Sequence, residues 1–191
     1  MVNAADFAQR VIAIAGCFIG YREVKENAVW MSPDGPHAGF DGNAWLRKWM
    51  ALIPGWEPGA PYCAAFAGAC VANALKQLDG TTGAITRWRN NWTAGCMNNV
   101  EHWQNMGRLS KEPSVGSILL MQHGQSWQGH ACLVTAIHGT TVATIEGNTN
   151  AEGSREGDGV FTHAFDYTAA RGDLHTRGFV SAASILAVVG A

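Results

Sequence analysis

The sequence predicts an α+β fold, with helices first and an antiparallel sheet after them. Three observations carry that reading. Apolar side chains at 63, 66, 67, 70, 71, 74, 75 and 78 follow the 3.6-residue period of a helix. Beyond Pro113 the pattern changes to short apolar runs separated by glycine-rich turns. The two patterns follow one another instead of alternating, which argues against βαβ units and a parallel sheet.

Taken in order, Phe7, Val11, Ile14 and Phe18 lie at helical spacing and predict an amphipathic core helix over residues 4–19, ending near Gly16 or Gly20. Ile14-Ala15-Gly16-Cys17 also mimics a lipoprotein cleavage site. Asp6 precedes it, however, and Arg10 is the only basic residue there, so the core helix is the stronger reading. Residues 32–62 hold five of the six prolines and read as ordered loop, apart from a short helix over 42–52 bearing Trp45 and Trp49. The helix at 63–78 follows Pro61-Tyr62 and stops at Asp79-Gly80. Residues 81–112 carry Trp88, Trp92 and Trp103 and predict one shorter helix around 96–106. Strands are predicted at 117–121, 130–137, 141–146 and 159–165, with a last strand over 179–189. No repeat or linker interrupts the pattern, so residues 1–191 read as a single domain.

Composition narrows the function. Charged residues make up 15% and hydrophobic residues 47%, which is the balance of a packed chain, not a disordered one. The net charge is -2 with no block of Lys or Arg, so nucleic acid is not an expected partner. No apolar run reaches the roughly 20 residues of a membrane helix, and no membrane insertion is expected. Cys17, Cys63, Cys70, Cys96 and Cys132 are odd in number and form no C-x-x-C pair. That argues against a disulfide framework or zinc ribbon and leaves buried thiols, one of them potentially reactive.

Cys63 stands out because it opens a helix. The free N–H groups and macrodipole there favour an anion, lower a thiol pKa and can stabilise an oxyanion on an attacked carbonyl. A cysteine nucleophile needs a base, and the base needs an orienting group. Among seven histidines, His130 follows Gly129 and opens the apolar run Ala131-Cys132-Leu133-Val134. The next strand returns through a turn near His138-Gly139-Thr140. A three-residue turn sets His130 opposite Asn148, and a two-residue turn shifts its partner to Gly147 or Thr149. Either way the segment 146–148 lies beside His130. Glu146 and Asn148 lie two apart and share a face, so either could fix the imidazole tautomer.

Pro61-Tyr62-Cys63-Ala64-Ala65-Phe66, Gly129-His130-Ala131-Cys132-Leu133-Val134 and Glu146-Gly147-Asn148-Thr149-Asn150 together resemble the CHAP amidases and peptidases, papain-like peptidoglycan hydrolases related to the NlpC-type enzymes. Gly20-Tyr21-Arg22-Glu23 and Gly157-Asp158-Gly159-Val160 fit more loosely. Ala131-Cys132 departs from the family's common Val-Gly, and Val115-Gly116-Ser117 from its Gly-Asp. The resemblance implies a catalytic set of Cys63, His130, Glu146 and Asn148. It also implies a papain-like fold in which the nucleophile's helix packs on the antiparallel sheet, and a single catalytic domain. The implied partner is bacterial cell-wall peptidoglycan, cut at amide bonds through a thioester by an enzyme with no cofactor, expected to be a monomer. The natural setting is a phage or prophage endolysin, made in the cytoplasm without a convincing signal peptide and acting at the wall after release or export. Rivals are an exported antibacterial effector of the same chemistry, a papain-like protease or transferase acting on protein, and an inactive wall-binding or virion module.

Tyr62, beside the nucleophile, and Trp127, three residues before His130, are the candidate substrate contacts. Trp30, Trp45 and Trp56 also fall in or near loops, where core packing is the commoner role. His123 reads as a solvated loop histidine. His37, His102, His138, His163 and His175 lack the spacing of metal ligands. Asp34-Gly35 and Asp41-Gly42-Asn43 read as turns, not as a calcium loop, so no metal is expected.

Overall fold

The helix that begins at Cys63 dominates the architecture. The computed structural model describes residues 2–35, 40–79, 82–151 and 157–191, so the glycine expected to stop that helix, Gly80, and His37 lie outside the described residues. Helix α3 (Cys63–Asp79) is buried from Tyr62 through Leu75. Its apolar stripe is therefore only part of the story: a helix surrounded on all sides is central to the core. Small residues make this possible. A Cβ at Gly68 would lie 2.5 Å from the Trp92 ring. Trp88 Nε1–H donates to the Gly68 carbonyl at 3.0 Å and Trp92 Nε1–H to the Ala64 carbonyl at 2.9 Å. Trp88 and Trp92 stack at 5.1 Å, clamping the first half of α3.

Around α3 lie α1 (Ala4–Gly16), α2 (Gly42–Met50) and α4 (Thr82–Asn90). Asn3 caps α1 by accepting from the Ala5 N–H at 2.8 Å, and Phe7, Val11 and Ala15 are buried. Asp34 sits in a turn with its N–H on Ser32 Oγ, as expected, whereas Asp41 caps α2 through the Ala44 N–H at 2.9 Å, so Asp41-Gly42-Asn43 is a helix start and not a turn. Helix α5 (Cys96–Asn105) matches the expected segment. Helix α4 departs from the expectation, since Ala84 and Trp88 are the only buried residues described on it and most of the others are polar. No helix among the described residues is long and apolar enough to cross a membrane.

The sheet holds β1 (Arg22–Lys25), β2 (Val29–Met31), β3 (Ile118–His123), β4 (Gly129–His138), β5 (Thr141–Thr149), β6 (Gly159–Asp166) and β7 (Leu174–Val180). Its order is β2-β1-β6-β5-β4-β3-β7, antiparallel throughout. The molecule is α+β, as the sequence predicts, with three differences. The hairpin β1–β2 precedes most helices and joins the sheet through β6. The last strand is β7, which begins five residues before the predicted segment and shares only Phe179 and Val180 with it. Residues 182–189, read as strand, instead form helix α6 (Ala182–Val189). Ser181 caps it through the Ser184 N–H, Gly190 closes it at φ 64°, and Arg87 donates to the Val189 carbonyl at its end.

The β4–β5 hairpin turns through two residues, Gly139 and Thr140, with Thr141 opposite His138. A bulge between Val134 and Ala136 then shifts the ladder, so Leu133 faces Ile145. That is the register a three-residue turn would have produced. The expected neighbourhood of His130 is thus correct, and its origin is turn plus bulge.

Candidate active site

Cys63 is the first residue of α3, and its side chain is 7% exposed. His130 is the second residue of β4 and is 1% exposed. Its carbonyl accepts from the Cys96 thiol at 3.2 Å, which ties the strand entrance to the start of α5. His130 Nε2 lies 3.0 Å from Glu146 Oε2. With Glu146 ionised, Nε2 carries the proton and donates it. That leaves Nδ1, which has no fixed hydrogen-bond partner, for the Cys63 sulfur with which the ring interacts.

Glu146 has no solvent exposure and three partners. Besides His130, its Oε1 accepts from Thr144 Oγ1 at 2.6 Å and from Arg171 Nη1 at 2.7 Å. Thr144 and Glu146 are two apart on β5, hence on one face. Arg171 reaches across from the β6–β7 connection, which is closed by paired backbone bonds between Arg171 and Leu174. Its guanidinium also lies over the Phe165 ring at 4.7 Å. Sequence reasoning missed Arg171 and Thr144. Arg171 stands in a polar turn 25 residues from Glu146, and only the adjacency of β5 and β6 could have joined them.

The electrostatics follow from this packing. Burial pushes the Cys63 thiol up, but the His130 ring and the backbone N–H groups of Ala131 and Ala64 outweigh it, and the net shift is downward. Burial pushes His130 down, but Cys63 and then Glu146 outweigh it, raising the imidazole to about 9. Burial pushes Glu146 up, but His130 and Arg171 hold it at about 2. The two shifts run in opposite senses, the thiol down and the imidazole up, so each group favours the charged form of the other. Cys70, Cys96 and Cys132 are also buried, and burial raises each of them well above the ordinary thiol range. Cys17 is exposed.

Asn148 is near but differently placed. It sits at φ 57° where the pairing of β5 with β6 shifts between Gly147 and Thr149, so simple strand alternation fails there. Its Oδ1 accepts from the Tyr62 N–H at 3.3 Å, steadying the residue before Cys63. The bond to His130 Nε2 comes from Glu146. Tyr62, expected to touch substrate, is fully buried. Its ring packs edge-on against Trp30 at 5.2 Å and its hydroxyl lies beside Glu23, so it supports the loop from beneath. Trp127 is 83% exposed on the β3–β4 turn, beside a cleft that includes Gln122 and Met97. His102 bonds Asn91 Oδ1 at 3.0 Å, and His123 lies 3.6 Å from Asp173. Among the described residues, no group of His, Cys, Asp and Glu gathers that could hold a metal ion.

Comparison with protein families matches residues 55–148 to the CHAP domain. A search among curated proteins finds no match. The matched stretch contains Cys63, His130, Glu146 and Asn148 and stops short of Arg171. Over residues 55–148 the chain is thus similar to the CHAP domain, a family of peptidoglycan-associated amidases and peptidases.

Proposed function

We propose that the chain hydrolyses amide bonds in the stem peptides or cross-bridges of bacterial peptidoglycan, with Cys63 as nucleophile and His130 as base and acid. The observation that carries this reading is a thiol at a helix N-terminus beside a histidine whose far nitrogen is held by a buried carboxylate.

In the forward step the Cys63 thiolate attacks the amide carbonyl carbon, a C–S bond forms, and the carbonyl electron pair moves to oxygen. The N–H groups at the start of α3 face that oxyanion. Imidazolium Nδ1–H donates its proton to the leaving nitrogen as the C–N bond breaks, leaving a thioester. His130 Nδ1 then takes a proton from water, and the resulting hydroxide attacks the thioester. Cleavage of the C–S bond returns the thiolate. Glu146 holds the ring so that Nδ1 keeps facing sulfur, and Arg171 and Thr144 hold Glu146. Asn148 acts on the loop at Tyr62. A phage or prophage lysis enzyme is the setting in which such an activity is expected.

The test is turbidity of purified peptidoglycan with wild type and Cys63→Ala side by side, followed by mass spectrometry of the products. Clearing by wild type alone, with new amino termini or free stem peptides, supports the proposal. Intact walls from several wall chemotypes in the presence of folded wild type would refute it.

A further inference from the structure

Trp127 plays no part in the chemistry above, and its 83% exposure leaves a large apolar ring in water. Looseness does not explain it. The turn that carries the ring is fixed by its own bonds: Ser126 Oγ donates to the His123 carbonyl at 2.8 Å, and the Gln128 N–H donates to Ser126 Oγ at 3.1 Å. The His123 N–H donates to the Gln128 carbonyl at 3.0 Å, and the Gly124 N–H ties the turn to the Asp173 carbonyl at 2.8 Å. Gln122 Nε2 adds a bond to the Ser126 carbonyl at 2.8 Å. The loop holds an aromatic face outward.

The ring borders a cleft of about 500 Å³ between this turn and α5, a volume within the roughly 300–1,000 Å³ range of small-ligand sites. The cleft is lined by Asn98, Glu101, Gln104 and Asn105 of α5 and by Gln125 of the turn. Positions 98, 101 and 105 fall on one face of the helix. Arg177 of β7 also lines it, with its guanidinium bonded to Gln122 Oε1. The lining therefore offers amides that both donate and accept, one carboxylate and one engaged guanidinium. It is too weakly basic for a phosphate backbone and too polar for an apolar side chain. Neutral hydroxyl and acetamido groups, with C–H faces that pack flat on an indole, fit it.

The cleft also has the right address. Met121 pairs with His130 and Gln122 with Gly129, so it begins one rung along the ladder from the base. The Cys96 thiol, one residue before the cleft residue Met97, holds the His130 carbonyl.

We propose that the Trp127 cleft is a saccharide subsite, which grips N-acetylated sugar of the glycan strand while the attached peptide's amide lies over Cys63. This rests on the peptidoglycan reading. The experiment titrates ¹⁵N-labelled Cys63→Ala protein with the N-acetylglucosamine tetrasaccharide and, separately, with free stem peptide, following the Trp indole signals. The expected result is a saturable shift of the Trp127 indole with the tetrasaccharide alone, and loss of saturable tetrasaccharide binding, read by calorimetry, in the Cys63→Ala/Trp127→Ala protein. In the active enzyme, Trp127→Ala raises KM for intact wall roughly tenfold, with the larger part of the loss in KM. A Trp127 indole that does not move with the tetrasaccharide, or moves with peptide instead, overturns the proposal, as does an unchanged KM. Saccharide binding by a protein that leaves wall uncut would sink the hydrolase reading and keep the subsite. Wall clearing without saccharide binding would do the reverse.

Discussion

At the scale of single residues, the decisive group is a carboxylate that no solvent touches. Under the proposed mechanism Cys63 and His130 act as one unit, so Cys63→Ala and His130→Ala should each cost at least about a thousandfold in kcat, and the double variant little more than either alone. Single-turnover measurements on wall fragments check this. Glu146→Gln keeps a hydrogen-bond acceptor on His130 Nε2 but removes the negative charge that helps hold the imidazole at about 9. The alkaline limb of kcat/KM should therefore move to lower pH by roughly one unit, as a pH–rate profile would register; an unmoved limb counts against the role given to Glu146. Arg171→Ala leaves the Glu146 charge buried and less compensated, an expected loss of about 3 kcal/mol in urea denaturation. Cys63, His130 and Glu146 were legible in the sequence because a helix start, a strand entrance and a hairpin return can be counted along the chain. Arg171 was not, since it meets Glu146 only through the sheet. Tyr62 was misjudged because sequence adjacency to a nucleophile does not say which way a ring turns.

At the scale of elements, α3 and β5 do most to place the site. The indole bonds from Trp88 and Trp92 to the Gly68 and Ala64 carbonyls fix the helix behind Cys63. Gly68→Ala would gain about 1 kcal/mol of helix propensity, yet its Cβ would meet the Trp92 ring at 2.5 Å. Overpacking of this kind costs about 1–3 kcal/mol, so net destabilisation by chemical denaturation is expected. Helix α3 was plain in the sequence from its long unbroken period. Helix α6 was not: Ile185-Leu186-Ala187-Val188-Val189 is a short apolar run, and periodicity cannot separate a strand from a buried helix at that length. Its signal was Ser181, the cap. Strands β1 and β2 have four and three residues and exist through pairing with each other and with β6, which leaves almost no local trace. The bulge in β4 was equally silent, and it decides which residue of β5 stands beside His130.

At the scale of the molecule, stability and activity share the same charges. Glu146 is depressed in the fold from 4.5 to about 2, so its contribution is complete above the ordinary carboxylate pKa and drains away as pH falls through about 2. His130 is raised from 6.5 to about 9, so its contribution is complete below 6.5 and is lost as pH rises through about 9. Stability of wild type relative to Glu146→Gln should accordingly shrink between about pH 4.5 and 2, measured by urea unfolding at each pH; a gap that persists at pH 2 contradicts the assignment. The five thiols are also unequal: three are raised by burial, one is exposed, and Cys63 alone is shifted toward thiolate. A small alkylating reagent at neutral pH, applied to a Cys17→Ser background, would consume one equivalent per correctly folded molecule and more per misassembled one, whose three other thiols lose the burial that shields them. The protein thereby carries its own dosimeter: label incorporated, read as mass per chain, would count working sites before any substrate is chosen.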